Sequence, residues 1–226
     1  MVPTLVLDLD GTLVDSIPDL LASLNRLMDA RDLAPFVAAE VRPMIGDGAG
    51  VLVRRAMAAR DRVATPDDMR FLLADYTANV ADGSVLFPGA EATLHAMKGD
   101  GWRLAVCTNK PVTPARDLLA ALGVLDLFAA IGGGDSYPAR KPDPAHLLGT
   151  LADAGGHAAA AVMVGDHRND VLAAEGAAVP CIFAAWGYGE PGGPVDATAQ
   201  AFTDIAQLAP ALLERRTADQ DGGGAT

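Results

Sequence analysis

Leu5-Val6-Leu7-Asp8-Leu9-Asp10-Gly11-Thr12 is an apolar run that ends on two carboxylates. Residues 5–9 (LVLDL) read as a strand covered on both faces, because the run lacks the polar alternation of a half-exposed strand. Residues two apart in an extended segment point the same way. Asp8 and Asp10 therefore converge on one small site at the strand's carboxyl end, where open α/β sheets bind ligands. A turn alone would account for Asp10-Gly11, but it leaves Asp8 in an apolar strand without a reason. Two adjacent carboxylates call for a counter-charge, and a hard cation with oxygen ligands, such as Mg²⁺, supplies it. Gly11 permits the tight turn or close backbone approach that follows.

Four further short runs read as buried strands: residues 103–108 (RLAVCT), 129–131, 161–165 (AVMVG) and 180–184 (PCIFA). Helical stretches lie between the later ones, at 91–97, 113–122, 143–152 and 169–178, the third opening on Asp143-Pro144 as N-cap and first turn. Strand–helix–strand alternation implies a parallel sheet with right-handed crossovers, an open α/β fold. One region departs from it. Residues 16–84 contain no convincing strand, and 18–30, 51–59 and 67–80 carry apolar residues at helical spacing. A helical block of that size is too long for an ordinary crossover. It reads as an inserted cap over a core formed by residues 1–15 and 85–215, with 216–226 expected to be a disordered tail.

Other strand ends add to the first. The fourth strand runs into Gly165-Asp166-His167-Arg168-Asn169-Asp170, which brings another carboxylate to the same sheet edge and a second one turn further on. Helix capping explains Asp166 or Asn169 equally well when taken alone. Together with Asp8 and Asp10, an acidic metal cradle is the better reading. The second strand ends on Thr108-Asn109-Lys110, a hydroxyl and an amide ahead of a helix, which make a modest anion site. Lys141, in Arg140-Lys141-Pro142-Asp143, is one of only three lysines, with Lys98 and Lys110. In a chain that otherwise uses arginine, a lysine before a helix suggests a compact point charge for a phosphate; the plain alternative is a solvated loop residue.

The chain has 226 residues, 17 of them basic and 29 acidic, for a formal charge of −12. There is no basic field to attract nucleic acid or anionic lipid, so neither is an expected partner. The apolar runs are under ten residues, too short for a bilayer, and Asp8 and Asp10 interrupt the first. Cys107 and Cys181 sit in apolar runs outside any Cys-x-x-Cys or Cys/His cluster, as expected for buried thiols of a cytoplasmic protein. Oligomeric state, monomer or homodimer, is left open.

In order and placement, Asp8-Leu9-Asp10-Gly11-Thr12, Thr108, Lys141 and Gly165-Asp166 with Asp170 resemble the four motifs of the haloacid-dehalogenase-like (HAD) superfamily. More narrowly, residues 9–16 (LDGTLVDS), 45–48 (IGDG), Lys141-Pro142, 164–173 (VGDHRNDVLA) and 186–189 (WGYG) look like those of phosphoglycolate phosphatases. The resemblance implies a Rossmann-like core with an α-helical cap and an Mg²⁺-dependent phosphomonoester hydrolase acting on a small phosphorylated metabolite. It makes Asp8 the nucleophile and Asp10 the general acid and base. It assigns Asp8, Asp166, Asp170 and the carbonyl of Asp10 to the metal. Gly11, Thr108, Asn109 and Lys141 would hold the phosphate, with backbone N–H groups near Leu9 and Gly11.

Other activities share these motifs. A dehalogenase needs neither Asp10 nor a metal, and a phosphonate hydrolase needs a cap lysine, which is missing because the first lysine is Lys98. A β-phosphoglucomutase-like mutase, a pyrophosphatase or a phosphatase for another phosphosugar stays open, because the discriminating contacts lie in cap loops. Outside this class, a receiver-like phospho-acceptor would be about half the length and lack the cap, and a silent binding module would not need the full set of reactive groups. In the cap, Arg42, Arg54 and Arg55 read mainly as a solvated helix face, and the 45–48 loop as the better substrate contact. Asp15 reads as a cap for the first cap helix, and His167 as peripheral to the site.

Overall fold

The computed structural model describes residues 1–222, with side chains to residue 218. The strands are β1 (Thr4–Leu7), β2 (Val14–Asp15), β3 (Val85–Leu86), β4 (Arg103–Cys107), β5 (Ala130–Gly132), β6 (Ala161–Gly165), β7 (Cys181–Ala184) and β8 (Ala197–Ala199). The helices are α1 (Ile17–Asp29), α2 (Ala38–Val41), α3 (Ala49–Ala58), α4 (Pro66–Ala78), α5 (Ala90–Gly99), α6 (Val112–Ala121), α7 (Pro144–Asp153), α8 (Arg168–Gly176) and α9 (Ile205–Gly222). Six strands form one parallel sheet in the order β5-β4-β1-β6-β7-β8.

The central strand shows why the apolar runs lack alternation. Leu5 and Leu7 face a core shared with α5, α6 and α9, while Val6 faces a second core shared with α7 and α8. Both faces of β1 are covered, so every residue from Leu5 to Leu7 is inaccessible to solvent. The same two cores fix the position of the site. The chain leaves β1 toward β4 and β5, then returns to the other side of β1 for β6 and β7, switching helical layers as it does so. At such a reversal the loops after neighbouring strands diverge and open a crevice. Here it lies between the ends of β1 and β6, where Leu7 is level with Val164 and the N–H of Asp8 donates to the Val164 carbonyl at 2.9 Å.

Residues between β2 and β3 form the helical insert, with a core of its own built from Leu24, Leu27 and Met28 of α1, Leu52, Val53 and Ala56 of α3, and Leu72 and Tyr76 of α4. Thr65 caps α4 in a reciprocal box with Asp68. The two ends of the insert are tied together. β2 and β3 pair antiparallel, and the buried Asp19 carboxylate accepts from the backbone N–H groups of Gly83 and Ser84 at 2.8 and 2.9 Å.

Several expectations shift. The strands read at 5–9 and 103–108 stop at Leu7 and Cys107, so Asp8 and Thr108 stand just past the ladder, where their side chains are released from the pleat. The edge strand β8 has no signal in the sequence: its three residues, Ala-Thr-Ala, carry no legible period. Helix α9 is masked in the sequence by Pro210, which interrupts its pattern, although Ile205, Ala209 and Leu212 are buried at helical spacing. From residue 216, where a disordered tail is expected, the chain continues α9 to Gly222. Residues 223–226 lie outside the described residues.

Candidate active site

Three buried carboxylates, Asp8, Asp166 and Asp170, gather beside the crevice, each offering an oxygen within 4.8 Å of the others. Lys141 is shared by two of them, and Asp166 has partners of its own. Asp8 Oδ1 pairs with Lys141 Nζ at 2.8 Å. Asp166 accepts from the Thr12 hydroxyl at 2.8 Å and from the Tyr188 N–H at 2.7 Å. Asp170 accepts from Lys141 Nζ at 2.6 Å and, through its other oxygen, from the N–H of His167. That last bond closes a capping box in which His167 is the N-cap of α8. The cap residue is thus His167 rather than Asp166 or Asn169.

One ammonium among three carboxylates leaves the cluster short of positive charge. Burial, then the charge of Asp8, pushes the Asp166 carboxyl up to about 6. Burial also drives Asp170 upward, with Asp8 and Asp166 reinforcing it against Lys141. Burial opposes the charge of Lys141, yet Asp170 and Asp8 hold it protonated well above the usual lysine range. Three buried carboxylate oxygens within reach of one another suit a hard divalent cation such as Mg²⁺. Asp10 contributes no carboxylate oxygen to this cluster.

The glycines explain how these side chains fit. Gly11 has φ +89°, and a Cβ there would lie 2.4 Å from Asp166 Oδ2. At Gly187 a Cβ would come within 2.1 Å of the Asp166 Cβ. The 186–189 segment (WGYG) thus buttresses Asp166, and the Trp186 indole N–H anchors it to the Thr12 carbonyl at 3.0 Å.

Two expected phosphate contacts take other roles. The Gly11 N–H donates to the Val14 carbonyl at 2.9 Å, so this glycine supplies space rather than a free donor. Asn109 uses both amide hydrogens on carbonyls, of Gly46 in the insert (3.0 Å) and of Lys141 (2.9 Å). Its remaining oxygen is a buried acceptor without a partner, which an anionic phosphoryl oxygen does not satisfy. Asn109 in this arrangement latches the insert to the core. Asn169 does the same from α8, donating to Asp47 Oδ1 at 2.7 Å and to the Gly46 carbonyl. Thr108, just after β4, lines the space between core and insert; its oxygen accepts from the Lys110 N–H, leaving the hydroxyl proton to donate. Lys141 reaches Asp8, Asp170 and the Cys107 carbonyl at once.

Between core and insert lies a cavity of about 50 Å³, lined by Asp8, Asp10, Thr108, Asn109 and Lys110 below and by Leu20, Ile45 and Leu52 with Gly46, Gly48 and Ala49 above. Lys110 was not singled out from the sequence as a site residue. Its ammonium lies 3.1 Å from Asp10 Oδ1, and its rarity in this chain was the available signal. Asp15 does not cap α1. It accepts from the Tyr188 hydroxyl at 2.7 Å, while that hydroxyl receives the Ser16 N–H. Of the cap arginines, Arg55 pairs with Asp47 and Arg42 donates to the Gly187 carbonyl; neither lines the cavity.

A family model described as haloacid dehalogenase-like hydrolase matches residues 5–184, from β1 to the end of β7. The chain belongs to that family. A phosphoglycolate phosphatase of Rhodospirillum rubrum is 43% identical over 217 residues, spanning 92% of this chain and 90% of the relative. One from Agrobacterium fabrum is 41% identical over 225 residues, spanning 94% and 93%. Among solved structures, a predicted phosphoglycolate phosphatase of Haemophilus somnus 129PT superposes with a TM-score of 0.84 at 32% identity, covering 91% of this chain and 97% of that one. This chain is therefore a HAD-family hydrolase, with the two-part architecture of core and helical insert. Among its described residues no helix is long and apolar enough to cross a membrane.

Proposed function

We propose that this hydrolase is a phosphoglycolate phosphatase, cleaving 2-phosphoglycolate to glycolate and phosphate. The observation that carries the reading is the placement of two separate carboxylates on one cavity floor: Asp8 against Lys141 in the acidic cluster, and Asp10 against Lys110 outside it. That separation suits two roles. Asp8 attacks phosphorus, forming an acyl-phosphate bond as the bond to the leaving oxygen breaks. Asp10 gives that oxygen its proton and later takes one from the water that hydrolyses the acyl-phosphate. The likeness to phosphatases of this name over nine-tenths of the chain supports the substrate.

Asp8, Asp166, Asp170 and the Asp10 carbonyl would hold Mg²⁺, which when bound supplies positive charge to the phosphoryl oxygens. Lys141 offsets the repulsion between the Asp8 carboxylate and an incoming phosphate dianion, and the Thr108 hydroxyl donates to a phosphoryl oxygen. The insert shuts bulk water out of the cavity. Free, buried Cys107 and Cys181 support a cytoplasmic setting.

A panel of phosphate monoesters ranked by kcat/KM tests the substrate. The expected outcome is 2-phosphoglycolate ahead of hexose phosphates and pyrophosphate; a leading hexose phosphate or pyrophosphate overturns it.

A further inference from the structure

The upper wall of the cavity carries no charged side chain. Leu20, Ile45 and Leu52 are apolar, and Gly46, Gly48 and Ala49 present mainly backbone. Arg55 is engaged by Asp47 and Arg42 by Gly187 and the face of Tyr188, so the insert brings no cation to the leaving group. The cationic side chain lining the cavity is Lys110, from the core. It is buried, and its ammonium lies 3.1 and 3.3 Å from the two Asp10 oxygens. The ring of Tyr76, which descends from α4, covers it at 4.1 Å from the centroid. The Tyr76 hydroxyl is buried without a hydrogen-bond partner. An ammonium has three N–H donors. Asp10 takes one side, the aromatic face another, and the side toward the cavity is left for a ligand.

From these contacts we infer that Lys110 reads the carboxylate of the leaving group, and that this core lysine, rather than any residue of the insert, selects a short anionic leaving group over a neutral one. The inference rests on the phosphatase reading above. Reach decides the selection. Asp10 must contact the leaving oxygen to protonate it, and Lys110 is hydrogen-bonded to Asp10. A carboxylate one methylene from that oxygen, as in glycolate, falls beside the ammonium. A carboxylate on a longer chain would meet Leu20 and Leu52 instead. Gly48 and Ala49 turn the start of α3 toward the same cavity, and the positive end of its dipole favours the same charge. Tyr76 makes the insert a lid on the cation without making it the source of charge.

The test compares 2-phosphoglycolate with its neutral amide, carbamoylmethyl phosphate, in wild type and Lys110→Met. The readout is the ratio of kcat/KM values for the two esters, which a general loss through Asp10 does not move. Wild type is expected to prefer the charged ester, and Lys110→Met to lose about 100-fold of that preference, the range for a buried charge pair. Lys110→Gln carries the same comparison should the methionine variant not fold. Equal losses on both esters overturn the inference and leave the phosphatase reading standing. A wild type without preference for the charged ester overturns that reading and the inference with it.

Discussion

Behind the cavity floor, which Asp8 reaches, four charged side chains, Asp8, Asp166, Asp170 and Lys141, are buried within hydrogen-bonding reach of one another or of the backbone, while the facing wall is Leu20, Ile45, Leu52 and a glycine-rich loop. The floor is held at strand ends by contacts that leave each carboxylate little freedom. The wall is held to the core by a few polar latches, chiefly Asn109 and Asn169 on the Gly46 carbonyl and Arg42 on Gly187. The difference separates chemistry from access. A fixed array of buried charge suits one reaction, whereas an apolar wall on polar latches can open, close and change its shape without disturbing that array.

The largest expected effect is at the floor. Asp8→Asn keeps the size of the side chain and removes the nucleophile, so kcat should fall by about 10⁴-fold or more. The melting temperature should stay level or rise, because one charge leaves a crowded cluster. Rapid-quench measurement of the phosphoenzyme together with thermal melts checks both, and retained turnover would break the assignment.

The cation comes next. EDTA should silence the enzyme and Mg²⁺ restore it. The sign of its pH dependence follows from the cluster. The folded-state affinity of Asp166 for protons is raised, so the metal-free fold binds more protons than the unfolded chain and loses stability as pH rises through about 6. Protons and cation compete for the same oxygens. The rise in melting temperature on adding Mg²⁺ should therefore be larger at about pH 8 than at about pH 5.5. Equal rises would mean that the cation binds elsewhere.

The smallest effect belongs to the wall. Asn169→Ala removes the bonds to Asp47 and Gly46, worth about 1–2 kcal/mol of closure. KM should rise about tenfold with kcat little changed. A loss confined to kcat would erase the distinction between floor and wall.

The floor was legible in the sequence because its meaning is local. A carboxylate at the end of a buried apolar strand is costly unless a cation or hydrogen-bond donors meet it. Asp8 and Asp166 each sit in that position, directly after β1 and β6. The wall was not legible, because its contacts join residues far apart in the chain. Nothing near Tyr76 announces that it covers Lys110, and nothing near Tyr188 announces that it holds Asp15. Asn109 was legible as a polar residue at a strand end, but its partners, Gly46 and Lys141, decide which of its atoms remain free. Gly187 carried a resemblance in the sequence; its reason, the lack of room above Asp166, belongs to the folded structure.

The antiparallel pairing of β2 with β3 gives the helical insert an unusual standing in the chain. Topologically it is the loop of a two-stranded hairpin, enlarged until it spans residues 16–84. Loop-closure entropy grows only with the logarithm of length, so enlarging a tight turn to this size costs about 2–3 kcal/mol. The insert's own core and the Asp19 clasp across its two ends offset that cost where it arises. The sheet beneath asks of whatever fills the loop only that it return within one hydrogen-bonded pair of where it left. Inserts of other lengths and shapes can therefore be spliced between Asp15 and Val85, changing the room left above the site while Asp8, Lys110, Asp166 and Lys141 stay where they are.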